Sequence, residues 1–184
     1  MKPFKLHTPL LNKDYVMKAP ILNGPYKYFA SLDIKLERAE VWQVIKDFDN
    51  IYSWCPIYQK IEDNHALTDQ ESSRHYSIDG FNPMKDKITD LHPGYGYVYK
   101  IENVSVIEHV QASWWLTSLN HKLTRLNLVL SYQIKPGVLN KLKHYLFLKN
   151  KLENLLPNTL EALSDQLTKQ SQAHEFELIH YANN

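Results

Sequence analysis

Arg74, His75 and Tyr76 follow one another in the stretch Ser72 to Asp79, and together they hold a guanidinium, an imidazole and a phenol. Such a set can polarise a carbonyl and pass a proton, which is the chemistry of general acid–base catalysis. Successive side chains of an extended strand point to opposite faces, so Arg74 and Tyr76 share one side with Ile78 and His75 takes the other. The remaining candidates for proton transfer, Asp79, His92, His109 and His121, are scattered along the chain. No His-x-His or His-Glu-x-x-His spacing occurs, so no metal site is expected. Cys55 is the single cysteine. It excludes an internal disulfide, and with no base placed beside it the thiol reads as a small buried hydrophobe rather than a nucleophile. Gly94-Tyr95-Gly96 is a turn with no helix after it, so it is no phosphate loop, and no cofactor is expected.

The elements that must position these groups follow from hydrophobic pattern. A length of 184 residues with 43% hydrophobic and 22% charged residues suits one globular domain and speaks against a disordered chain. A net charge of +1 leaves no global basic footprint, which argues against nucleic acid as a partner. The start has no continuous apolar run of the kind a secretory signal carries, and no stretch reaches the roughly 20 apolar residues of a spanning helix, so the expected location is cytoplasmic. Twelve of the aromatic residues are tyrosines, which pair a large apolar body with a polar tip and suit the wall of a mixed ligand cavity or an ordinary β core.

Residues 1 to about 25 hold four prolines and no period, and read as an extended arm. Tyr26, Tyr28, Ala30, Leu32 and Ile34 alternate with polar residues, with Phe29 the exception on the outer face; this is a first, half-buried strand. Glu37 to Phe48 has helical spacing through Val41, Trp42, Val44 and Ile45, and Ile51 to Cys55 forms a second short helix stopped by Pro56. Strands are expected over Ile57 to Asn64, Ser72 to Asp79, Lys85 to Leu91, the Tyr97-Tyr99-Ile101 stretch, Val110 to Leu119 and Leu123 to Lys135, with short turns that imply antiparallel pairing. Trp114 and Trp115 are adjacent, so one faces in and one out. After Pro136-Gly137, Val138 to about Lys169 reads as one long helix whose stripe is Leu142, Tyr145, Leu146, Leu152, Leu156, Leu160, Leu163 and Leu167. Pro157 is expected to kink or break it between Leu155 and Asn158. A polar tail follows, over 171–184.

The segment Lys35 to Pro56, with Ala39-Glu40-Val41-Trp42, Ile45, Phe48 and Ile51-Tyr52-Ser53-Trp54-Cys55-Pro56, resembles the opening of the START/Bet v 1-like (SRPBCC) superfamily, in its polyketide cyclase/dehydrase and lipid-transport branch. Tyr132 to Gly137, a strand end leading into the long helix, adds to the likeness, which covers about Tyr26 to Lys169. The resemblance implies an α+β helix-grip fold over residues 26–170: a curved antiparallel sheet of six to seven strands around a long C-terminal helix, with two short helices after the first strand. It also implies a cavity between sheet and helix that holds lipids, sterols, aromatic or polyketide-like molecules. Gly80-Phe81-Asn82-Pro83 sits where the abscisic-acid receptors of this superfamily carry a gate, so Phe81 is a candidate lid; the plainer alternative is a turn with a surface-packed ring. Strand two offers no clearly inward lysine, which sets the chain apart from those receptors.

Strand parity and the helix stripe give the expected ligand-binding set: Tyr28, Trp54, Tyr76, Phe81, Tyr97, Tyr99, Leu128, Leu130, Leu152 and Leu156. Three functions compete. The first is binding or transport of a small hydrophobic molecule, by a monomer or homodimer. The second is a cyclase- or dehydratase-like reaction using Arg74, Tyr76 and His75, ranked below binding because pocket polar groups are more often satisfied contacts than catalysts. The third is contact with a membrane or a protein through the helix 138–152, where Lys141, Lys143, Lys149 and Lys151 stand with no acid among them. The plainer account of that helix is a solvated basic face with Phe147 packed beneath the N-terminal arm.

Overall fold

A computed structural model describes residues 18–61, 73–78 and 81–182, with side chains omitted at 49–50 and 171–182. Strand β1 (Tyr26–Ile34) leads to helix α1 (Arg38–Ile45) and a short 3₁₀ helix, Phe48–Ser53. Six strands follow: β2 (Tyr58–Lys60), β3 (Ser73–Ile78), β4 (Met84–His92), β5 (Gly96–Glu102), β6 (Ile107–Asn120) and β7 (Leu123–Ile134). Their order is β1-β7-β6-β5-β4-β3-β2, one antiparallel sheet curled into a half-barrel. Among the described residues, the connection that leaves the meander is the one carrying α1 and the 3₁₀ helix, which takes the chain from one edge of the sheet to the other.

The local reasons are plain in the sequence. The Glu40 carboxylate accepts the backbone N–H of Glu37 at 2.8 Å, closing the start of α1, whose Val41 and Ile45 are buried. On β7, Leu126, Leu128, Leu130, Tyr132 and Ile134 are buried on the inner face, as their period of two demands. Trp114 faces the core beside Tyr97 and Trp54, while Trp115 packs against His92 and Tyr95 on the opposite side. Both indoles are buried, so the outer face is covered there as well. His109 takes φ 52° where β6 bulges between Glu108 and Gln111. Strand β2 is shorter than the expected Ile57 to Asn64 stretch; residues 62–64 lie outside the described ones, as does Asp79.

The long helix departs from expectation in four ways. It is built of α2 (Val138–Lys143), a π-helical turn over His144–Leu148, and α3 (Lys149–Ala182). The backbone stays helical through Pro157, so there is no break there, and it continues past Lys169, into the stretch expected as a tail, as far as Ala182. The stripe is also corrected. Leu142, Tyr145 and Leu146 are exposed, and the inward row is His144, Leu148, Leu152, Leu156, Leu160, Leu163 and Leu167. The physical cause is a polar anchor: the Nε2 atom of His144 sits 2.7 Å from the phenol oxygen of Tyr132, and the π turn keeps His144 and Leu148 together on the inner side.

Candidate functional site

Arg74 and Asp86 are paired residues of neighbouring strands, and both face inward. The guanidinium donates through Nε (3.0 Å) and Nη2 (2.7 Å) to Oδ2 of Asp86, and through Nη1 (3.0 Å) to the carbonyl of Phe48 in the 3₁₀ helix. Tyr76, on the same face of β3, donates its hydroxyl to Oδ1 of Asp86 at 2.7 Å. The Phe48 ring lies 3.9 Å from the Arg74 guanidinium carbon, and the Tyr58, Tyr76 and Tyr99 rings stand around it. Aromatic walls and a satisfied ion pair thus form a knot where the 3₁₀ helix meets β3 and β4.

Its electrostatics follow from burial. Removal from water raises the Asp86 carboxyl above its ordinary value, with the Arg74 charge and the hydrogen bonds from Tyr76 and Arg74 pulling the other way. Burial works against the Arg74 charge, but Asp86 and the surrounding phenols outweigh it, and the guanidinium is held protonated. Burial pushes the phenols of Tyr58, Tyr76 and Tyr97 up, and that of Tyr99 up to about 12, so all four stay neutral. Burial also pushes the Cys55 thiol up, which fits its reading as an unreactive core residue.

Nine of the residues expected to line a ligand site fall into three places, and Phe81 stands in a fourth, at the surface clefts. Tyr76, Tyr97, Tyr99 and Trp54 gather around the knot with Phe48 and Trp114; the Trp114 indole N–H donates to the Tyr99 hydroxyl at 3.3 Å. Leu128 and Leu130 of β7 and Leu152 and Leu156 of α3 belong to the same buried core. Tyr28 stands apart, on edge strand β1, where its ring lies 6.1 Å from Tyr132 in the group that anchors His144. His75 takes the opposite face of β3, as its parity requires, and its carbonyl accepts the Tyr52 hydroxyl at 3.0 Å. His92 pairs with Asp90 at the surface.

Sequence reasoning missed Asp86 and His144. Asp86 shares strand parity with Met84, so its inward direction was readable; only pairing with Arg74 makes a buried carboxylate tenable. His144 stands four residues before Leu148 and eight before Leu152, in the row of inward leucines, but a histidine there scores as polar.

Beside the knot the fold opens. A cleft of about 250 Å³ lies between Phe81-Asn82 with Met84, the Asn103–Val106 turn, and Lys143, Phe147, Leu148 and Lys151 of the helix. Its floor is core: Met84, Val104 and Leu148 are buried, and Met84 is the cross-strand partner of Tyr76. A second cleft of about 350 Å³ shares Phe81 and Lys151 and runs along α3 past Ile57, Asn154 and Leu155. A third, of about 380 Å³, continues past Trp54 and Ala162. Phe81 therefore stands between the first two, with the Lys151 ammonium 5.5 Å from its ring centre. Among the described residues no group of His, Cys, Asp and Glu is arranged to hold a metal ion.

A sequence profile of proteins described as "Polyketide cyclase / dehydrase and lipid transport" matches residues 27–168. The chain belongs to that family. Its likeness to solved structures is one of fold. Among these are XoxI from Bacillus cereus (TM-score 0.58, 13% identity, 79% of this chain and 97% of that one) and a START superfamily protein from Mycobacterium smegmatis (0.56, 12%, 78% and 98%). The Zhui aromatase/cyclase from Streptomyces sp. R1128 matches with a TM-score of 0.54 at 15% identity, over 74% of this chain and 93% of its own. No curated protein matches in sequence. The helix-grip architecture expected from the START/Bet v 1-like resemblance is thus the architecture found.

Proposed function

We propose that this protein binds a small hydrophobic molecule, of lipid, sterol, aromatic or polyketide-like character, between sheet and helix and carries it without chemical change. The observation that carries this reading is the 250 Å³ cleft, whose floor is the apolar core itself and whose rim carries Lys143 and Lys151. That space is below the few hundred Å³ of a typical small-molecule site. Its partner cleft across Phe81 would supply the remainder as the ring moves. Membership of a family that includes lipid transport supports the reading.

Catalysis is the weaker alternative because the polar groups a cyclase would need are already engaged. Arg74 spends three hydrogen bonds on Asp86 and the Phe48 carbonyl, and Tyr76 donates to Asp86. Groups so satisfied stabilise a core; they have little left to offer a substrate carbonyl. Native mass spectrometry of freshly purified protein tests the proposal. A co-purified apolar compound, or saturable binding of a fluorescent fatty-acyl or naphthalene probe that such a compound displaces, is the expected result. A protein that is empty and takes up neither probe overturns it.

A further inference from the structure

The surface of α2 and the π turn is unusual for a protein exterior. Val138 is 85% exposed, Leu139 62%, Leu142 51%, Leu146 58% and Phe147 67%, all within ten residues of one another. A contiguous apolar patch of this kind marks a contact site. The patch is not an accident of fraying, since His144 and Leu148 tie the segment to the core through Tyr132 and the cleft floor. The anchor that holds these two residues inward leaves the others outward. At helical spacing Val138, Leu142 and Leu146 form the outermost ridge, and Lys141 and Lys143 fall to either side of it. Phe147 was expected to pack beneath the N-terminal arm; residues 1–17 of that arm lie outside the described ones.

Charge says what covers the patch. From Val138 to Leu152 there are four lysines and no acidic residue. Lys141 and Lys143 are exposed, and Lys149 makes only a loose 3.8 Å pair with Glu153. An apolar ridge flanked by lysines is the pattern of a helix that lies in a membrane interface: side chains enter the acyl boundary and ammonium groups reach up to anionic headgroups. No helix among the described residues is long and apolar enough to cross a membrane, so the contact is one of lying on the surface. A second copy of this chain would bring the same lysines face to face, which disfavours a symmetric dimer through this ridge.

We propose that the segment Val138–Leu148 docks onto an anionic lipid surface. Lys143 and Phe147 belong both to this face and to the rim of the 250 Å³ cleft, so docking sets the cleft mouth against the bilayer. The docking claim stands on exposure and charge; only the consequence for cargo exchange rests on the ligand-binding proposal.

The test is co-sedimentation of the full chain with vesicles of phosphatidylcholine alone and of phosphatidylcholine mixed with an equal part of phosphatidylglycerol. Binding is expected to the mixed vesicles, weaker at high salt and weak or absent on neutral ones. Exchanging Lys141 or Lys143 for Gln should reduce affinity by about fivefold each, and Leu146→Glu with Phe147→Glu should abolish it. These side chains are exposed, so the variants fold, as an unchanged melting curve verifies. Equal binding to both vesicle types, no binding to either, or binding unmoved by the substitutions overturns the proposal. So does sedimentation showing a dimer that Leu146→Glu dissociates, which would assign the ridge to a second copy. Native mass spectrometry on Lys141→Gln and Leu146→Glu, whose side chains lie off the cleft, keeps the two proposals apart, because lost docking with retained cargo leaves the binding reading standing.

Discussion

The imidazole Nε2 of His144 and the phenol oxygen of Tyr132 lie 2.7 Å apart, both groups almost wholly buried at the junction of β7 and the helix. The Tyr26 ring stacks on Tyr132 with centroids 5.4 Å apart and also lies against His144. Nδ1 of His144 has no hydrogen-bond partner among the described residues. The pair is therefore a polar anchor inside an aromatic cage, and it decides which way the first turns of the helix face.

This arrangement makes stability depend on pH. Burial, with the nearby charge of Lys149, holds His144 below its ordinary value of 6.5. The unfolded chain then takes up the proton at higher pH than the folded one. The stabilisation is complete above the unfolded value and is lost as pH falls through the folded one. In urea unfolding, the midpoint should drop on acidification from neutral towards about pH 5, and drop less in His144→Gln. Tyr132→Phe should cost about 1–3 kcal/mol at neutral pH, because it removes the partner of a buried ring nitrogen. Equal pH slopes in wild type and His144→Gln would show that the proton is taken up elsewhere.

Asp86 and Arg74 provide the second test. Asp86→Ala leaves the guanidinium buried with the Phe48 carbonyl and neutral rings, and should destabilise by about 3–5 kcal/mol. Replacing both partners with apolar residues, Arg74→Met with Asp86→Leu, should recover most of that loss. If the double variant is stable and still retains its apolar cargo, the knot is structural. Stability regained with cargo lost would return Arg74 to the binding site.

Much of this was legible in strand parity. The alternation over Leu126 to Ile134 and the Arg74-Tyr76-Ile78 face gave the sheet and its inner side, because a half-buried strand has few other ways to hide apolar groups. Asp86 was missed because parity alone cannot distinguish an inward carboxylate from a register error; its warrant is a residue in another strand. The helix stripe went wrong at Leu142, Tyr145 and Leu146 for a related reason. Helical period assumes a regular α turn and counts apolar residues, and here a π turn and a histidine hydrogen bond override both.

Pro157 lies inside the long helix. Proline has no N–H to give the carbonyl of Glu153, yet α3 runs through it unbroken, held by Leu156 and Leu160 in the core. Pro157→Ala restores that hydrogen bond in an already formed helix and should raise stability by about 1–3 kcal/mol. Thermal and chemical unfolding measure it. A fall in stability would mean that the proline ring makes packing contacts worth more than the missing bond.

The last prediction concerns Phe81, which stands between two clefts with the Lys151 ammonium over its ring. If cargo enters there, the ring is the partition it must pass. Phe81→Ala joins the two spaces and should speed release of a bound fluorescent acyl probe, by about tenfold if the ring contributes a typical aromatic contact of roughly 1.5 kcal/mol to the barrier. Met84→Trp does the reverse, since a larger side chain on the floor fills the space beside Tyr76 and should reduce the amount bound. Stopped-flow displacement gives the rate, and native mass spectrometry the occupancy. Two variants with wild-type release and wild-type occupancy would place the entrance elsewhere on the helix seam.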